Sequence, residues 1–176
     1  MNIFVIGNGM FTTGRGTDNY GTILPAIIEC QRNCDEVLNI FIIGSTVRGS
    51  KLAEKKYKSI SLLSKIKLNI NFFPKKNNNI NDYKNIINKN KLNSCAIIAT
   101  PDHLHFKIAK FCIEKKIHVL VVKPLTPSLE QSKILVNLAK NNNIYGAVEF
   151  HKRFDKQNIL AKNKINQNEF GKILSS

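Results

Sequence analysis

Acidic residues are scarce in this chain: 12 Asp and Glu stand against 27 Lys and Arg, a formal net charge of +15. Such an excess would suit a nucleic-acid binder or a protein of anionic membrane surfaces. Yet the sequence has no Arg-rich recognition helix, no RNP-like aromatic pattern and no zinc-finger spacing. The lysines are scattered through every segment among Asn and Ile, a pattern of drift toward AT-rich codons. Neither nucleic acid nor membrane is therefore expected as a partner, although the charge would favour a phosphorylated small ligand. Cysteine is equally uninformative as a scaffold. Cys30, Cys34, Cys95 and Cys112 form no CxxC pair, which excludes a disulfide framework and a cysteine zinc site. They predict buried or half-buried reduced thiols in a cytoplasmic protein. No apolar run approaches the ~20 residues that span a bilayer. The first apolar stretch, residues 3–6, lacks a preceding basic region and is too short for a signal peptide.

What is present is an alternation of short apolar runs with segments of helical spacing. Residues 2–6, 37–43, 68–73, 95–99, 118–122 and 145–150 read as strands, rich in β-branched residues and bounded by Gly, Pro or polar tracts. Helices are predicted over 23–32, 50–66, 80–91, 102–116 and 128–141, the second with a break near Ser59. Asp102 and Ser128 stand as N-caps, and Gln131 could complete a capping box with Ser128. Near-continuous apolar strands alternating with helices predict an α/β fold, a Rossmann-like doubly wound parallel sheet in three α/β/α layers.

The first strand runs into GNGMFTTGRGTDNYG, residues 7–21. Gly7 permits a sharp turn and Gly9 lets a phosphate approach the backbone, with Asn8 and Met10 beside them. The third glycine of a G-x-G-x-x-G pattern is replaced by Thr12, and a segment including TGRGTDNYG looks inserted before the helix. Gly21 is the candidate for the helix–strand packing usually given to that third glycine. Arg15 and Asp18 could reach a ligand or sit on a solvated loop tip. After the second strand the chain reads IIGSTVRGSK, residues 42–51, with no acid to hold a ribose diol. Ser45, Thr46 and Arg48, with Lys51, suit a 2′-phosphate, so NADP is expected over NAD. A solvated helix face is the plainer reading of Arg48 and Lys51.

Residues 99–155 carry three ordered signals: Ala99-Thr100-Pro101 with His103 and His105, then Lys123-Pro124, then FHKRFD at 150–155. This arrangement resembles the nucleotide-binding domain of the Gfo/Idh/MocA family of NAD(P)-dependent oxidoreductases. The resemblance implies that Ala99, Thr100, Pro101 and His105 line the cofactor. It implies that Lys123, followed by Pro124, holds nicotinamide and substrate and takes part in catalysis. Val122 stands where the family usually has glutamate, so a carboxylate beside Lys123 is absent. His151, Lys152 and Arg153 would face a small polyhydroxylated substrate. His103 and His105 have no third partner in the sequence for a metal, and none is expected.

The resemblance further implies hydride transfer between nicotinamide and a hydroxyl-bearing carbon of a sugar, inositol or related compound. A non-catalytic nucleotide-binding or regulatory module is the alternative, favoured by Val122. Residues 1–155 are expected to form the dinucleotide-binding domain. Residues 156–176 read as a linker and the start of a truncated substrate domain, with the 176-residue chain inactive alone and a homo-oligomer expected only for a full-length form.

Overall fold

The structure, a computed structural model, describes residues 1–167. Residues 168–176, read above as the approach to a further domain, lie outside the described part. The strands are β1 (Asn2–Ile6), β2 (Asn39–Ile43), β3 (Asn69–Phe73), β4 (Ser94–Ile98), β5 (His118–Val122) and β6 (Gly146–Glu149). They form one six-stranded sheet in the order β3-β2-β1-β4-β5-β6, with every pairing parallel. This is the doubly wound arrangement that the alternation predicted, and its strand order reverses between β1 and β4.

The pattern within β1 explains the layers. Successive side chains point to opposite faces of a strand. Ile3 and Val5 enter one core with Ile23, Leu24, Ile27, Ile40, Ile42 and Tyr57. Phe4 and Ile6 enter the other with Ile86, Ile87, Ile98, Ile108 and Ile113. A strand buried on both faces has no polar side to offer, which is why the sequence reads as continuous apolar runs. Each core is closed by helices: α2 (Ile23–Arg32) and α3 (Val47–Ser64) on the first face, α4 (Asp82–Asn90), α5 (Asp102–Glu114) and α6 (Leu129–Asn141) on the second.

Several expectations require correction. A one-turn helix, α1 (Met10–Thr13), follows the glycine loop directly, where no helix was expected before residue 21. Helix α3 is unbroken at Ser59 and starts three residues early, because Thr46 Oγ1 accepts from the Gly49 N–H at 3.1 Å and caps it. Asp102 is the first residue of α5 and not its cap; Pro101 holds that position. Ser128 does cap α6, accepting from the Gln131 N–H at 3.4 Å. Val37 is exposed and precedes β2. Cys30 and Cys34 are exposed, against the expectation of buried thiols; Cys95 is half-buried and Cys112 buried. Cys30, in the last turn of α2, and Cys34, just past the helix, hold their Sγ atoms 3.8 Å from each other.

After β6 the chain makes a 3-10 turn (His151–Phe154) and then helix α7 (Lys156–Asn166), which buries none of its residues. Among the described residues, no helix is long and apolar enough to cross a membrane.

Candidate functional site

The C-terminal ends of β1, β2 and β4 meet at the strand-order reversal, and their hydrogen bonding continues past the strands. The Gly7 N–H donates to the Ile43 carbonyl, the Gly44 N–H to Phe73 and the Ala99 N–H to Ile6, each at 2.8 Å. Three loops are thereby drawn together around a cleft of about 430 Å³. Gly7, Asn8, Gly9, Ser45, Ala99, Thr100 and Pro101 from the expected set line it.

The two glycines act differently. Gly7 has a φ of +110°, and a Cβ there would stand 2.0 Å from the Ala99 carbonyl oxygen. Only glycine allows β1 and β4 to approach so closely at this turn. Gly9 has nothing within 4 Å of a would-be Cβ, so its open side faces space that a phosphate could occupy. It caps α1 without any side-chain hydrogen bond to the first turn. Thr12, in place of the third glycine, is fully buried and donates through Oγ1 to the Gly7 carbonyl at 2.7 Å. The broken fingerprint is thus a loop tied to itself.

The insert is braced against α3, although its tip is solvated. Lys56 of α3 donates to the carbonyls of Thr17 and Asn19, and Tyr20 Oη lies 2.8 Å from Ser59 Oγ. Gly21 does not perform the expected helix–strand packing. Its φ is +71°, and a Cβ there would meet the carbonyl oxygens of Met10 and Phe11 in α1. Asp18 is exposed. Arg15 turns back into the cleft, where Nη1 donates to Asn8 Oδ1 at 3.1 Å.

Three buried side-chain polar atoms among the described residues have no hydrogen-bond partner: Asn8 Nδ2, Tyr83 Oη and Thr100 Oγ1. All three residues line this one cleft. Buried polar groups are ordinarily satisfied, so such a concentration singles out this cleft as the candidate site for a polar ligand. Burial, and then the neighbouring Cys112, push the Tyr83 phenol up, which keeps it a neutral donor. Tyr83 lies on the buried face of α4, within the helix expected over 80–91. Its spacing fits that place, and the sequence carries no signal for its unpaired hydroxyl. Gly44, Ile80 and Leu104 complete the walls and were likewise not expected at the site.

The remaining expected residues surround the cleft. Thr46 is engaged as the α3 cap, Arg48 is exposed on the first turn of that helix, and Met10 is exposed at the start of α1. His105 is fully buried, its ring nitrogens 2.8 Å from the carbonyls of Thr100 and Pro124. It joins the loops after β4 and β5, its two ring nitrogens facing those carbonyl oxygens, one of which accepts from the N–H of a neutral ring. Lys123 is exposed after β5, joined to Pro124 by a cis peptide. Val122 packs against the apolar core behind it.

His151, Lys152 and Arg153 are exposed on the 3-10 turn. His151 Nδ1 lies 3.0 Å from Glu149, and its ring stands 5.8 Å from that of Phe11 in α1. That contact brings the end of β6 beside the glycine loop. Lys152 pairs with Asp155 at 2.9 Å, and the Arg153 guanidinium lies 4.8 Å from the Phe150 ring centroid.

Residues 38–150 match the Gfo/Idh/MocA model, described as an oxidoreductase family with an NAD-binding Rossmann fold. The glycine loop precedes the matched span, so its reading stands on geometry. Levoglucosan dehydrogenase of Pseudarthrobacter phenanthrenivorans is 36% identical over 98 residues, 56% of this chain and 25% of that protein. The scyllo-inositol 2-dehydrogenase (NAD(+)) of Bacillus subtilis is 37% identical over 76 residues, 43% of this chain and 22% of that protein. In fold, the chain is similar to the crystal structure of an oxidoreductase from Bacillus cereus. The TM-score is 0.68 at 20% identity, covering 99% of this chain and 41% of the other. The aligned region thus spans about a quarter of the length of these curated relatives.

Proposed function

The chain belongs to the Gfo/Idh/MocA oxidoreductase family with its NAD-binding Rossmann fold, and from that premise we propose that the cleft at β1, β2 and β4 binds a nicotinamide dinucleotide, NADP in preference to NAD. The carrying observation is the convergence of all three unpartnered buried polar atoms on this cleft. The open face of Gly9 supports backbone contact with the pyrophosphate. Gly7, Asn8, Gly9 and Met10 would surround the phosphates. Ala99, Thr100 and Pro101 would lie along the ligand from β4, with His105 holding their loop in place. The preference for NADP is supported by the absence of any acid among residues 42–51, where Ser45, Thr46 and Arg48 stand instead.

The nicotinamide, when bound, would supply the redox chemistry by carrying the hydride. We read the whole protein as a dehydrogenase acting on a hydroxyl-bearing carbon of a sugar, inositol or related compound, as its named relatives suggest. Lys123 would orient the substrate hydroxyl or manage its proton. Pro124, through its carbonyl and His105, ties that lysine's loop to the cofactor loop after β4. His151, Lys152 and Arg153 would face the substrate side. A cytoplasmic location fits this reading.

Calorimetric titration of the 176-residue chain with NADP⁺ and NAD⁺ tests the proposal. Both should bind, NADP⁺ more tightly. Gly9→Leu should weaken both by about tenfold or more by filling the open approach, with little change in melting temperature. Absence of binding by either dinucleotide to folded protein would reject the reading.

A further inference from the structure

The sequence offered Arg48 as the group that recognises a 2′-phosphate, but the structure directs a different arginine into the cleft. Arg48 is exposed on α3 and does not line it, whereas Arg15 does. Arg15 comes from the insert that breaks the glycine fingerprint. Its Nη1 donates to Asn8 Oδ1 at 3.1 Å and would lie 2.3 Å from a Cβ on Gly49, in the first turn of α3. The guanidinium therefore bridges the glycine loop and the segment following β2.

This contact also orients Asn8. With Oδ1 turned toward the guanidinium, the donor Nδ2 must point the other way. Nδ2 would stand 2.0 Å from a Cβ on Gly44 and 3.3 Å from one on Gly49. The residue is 5% exposed, yet this donor has no partner. Arg15 makes no ion pair among the described residues, and residues 42–51 at the end of β2 include no acid to neutralise it. An arginine presents five N–H donors, so most of its capacity is left after the bond to Asn8. A fixed guanidinium beside an unpaired amide donor is a site for anionic oxygen.

We infer that Arg15 selects the phosphorylated dinucleotide, its guanidinium binding the phosphate on the adenosine ribose with Asn8 Nδ2 as a second donor. This rests on the dinucleotide reading above. The location distinguishes that phosphate from the pyrophosphate: in this fold the adenosine ribose meets the end of the second strand, which is where Arg15 crosses to Gly49. The insert thus supplies from the glycine loop a charge that the β2 end does not place in the cleft.

The test titrates the 176-residue chain and its variants with NADP⁺, NAD⁺, 2′,5′-ADP and 5′-AMP, with melting curves recorded in parallel. Arg15→Met should weaken NADP⁺ and 2′,5′-ADP by at least about tenfold more than it weakens NAD⁺ and 5′-AMP. Arg15→Lys should recover part of the difference. Gly49→Ala keeps the charge and suits a helix, but its methyl displaces the guanidinium, so it too should reduce the preference. Arg48→Met should cost less selectivity than Arg15→Met. Equal weakening of phosphorylated and unphosphorylated ligands by Arg15→Met, or no weakening, would overturn the inference, as would a larger effect of Arg48→Met. Wild-type protein that binds NAD⁺ better than NADP⁺ would overturn the inference and leave the dinucleotide reading standing. Wild-type protein that binds neither would overturn both.

Discussion

Cys112 shows how burial at a single residue sets a property of the whole fold. It lies on the inner side of α5, fully buried among Ile and Ala side chains, and burial pushes its thiol up to about 12. An unfolded thiol titrates near 8.5, so the native state holds a proton that the unfolded chain releases. The stabilisation is complete below the unfolded value and is lost as pH rises toward the folded one. Between about pH 9 and 12, this group alone should remove roughly 1.4 kcal/mol of stability per pH unit. Cys95 and Tyr83 are also shifted upward by burial and act in the same direction. Urea denaturation of wild type and Cys112→Ala at pH 8, 9 and 10 separates the contribution. The variant begins less stable because of the cavity but should show the shallower alkaline decline. Parallel declines would show that Cys112 does not titrate differently in the two states.

At the scale of elements, the insert between α1 and α2 is held by few groups, and Lys56 is the chief one. Its ammonium bonds two carbonyls of the insert and lies 5.4 Å from the Tyr20 ring centroid. Lys56→Met keeps much of the aliphatic stem and removes these bonds. The insert should then exchange amide hydrogens faster over residues 14–22, while global stability falls by only about 1 kcal/mol. Unchanged exchange there would show that the loop holds itself. This brace also marks the boundary of what the sequence reveals. Strands and long helices were legible because two-sided burial demands apolar runs, and α2, α6 and β5 begin and end close to their expected limits. The one-turn α1 was not legible: it depends on Gly14 adopting a left-handed φ of 69° and on packing against the later insert. Of the candidate residues, Gly7 and Gly9 were apparent from their place after β1, whereas Thr100 and Lys123 were singled out through the family resemblance. Tyr83 and Gly44 became functional candidates only through tertiary geometry, and only that geometry decided that Arg15 turns into the cleft while Asp18 stays exposed. Which way an arginine turns, or whether a buried hydroxyl finds a partner, leaves no periodic trace in sequence.

For the molecule as a whole, the distribution of burial separates dinucleotide binding from turnover. Two cores flank the sheet, and the cleft is lined by residues of these same elements and the loops after β1, β2 and β4, so we expect dinucleotide binding to need nothing beyond them. The region after β6 differs. Helix α7 has no buried residue, and Phe154, Ile159 and Leu160 are exposed. Little apolar area therefore holds this segment to the domain, and it should open at low free-energy cost. Limited trypsin digestion should cleave among Lys152, Arg153, Lys156, Lys162 and Lys164 before the lysines of α3 or α5, leaving a dinucleotide-binding core. Catalysis also requires the reacting carbon to be held near the cofactor, and such positioning can lower a barrier by several kcal/mol. Lys123, His151 and Arg153 are exposed at one end of the sheet, without an enclosing wall among the described residues. We therefore expect the 176-residue chain to bind dinucleotide and fail to reduce it with sugars or inositols. Absorbance at 340 nm reads the outcome directly. Substrate-dependent reduction at an ordinary enzymatic rate of about 1 s⁻¹ or faster would show that these exposed groups suffice.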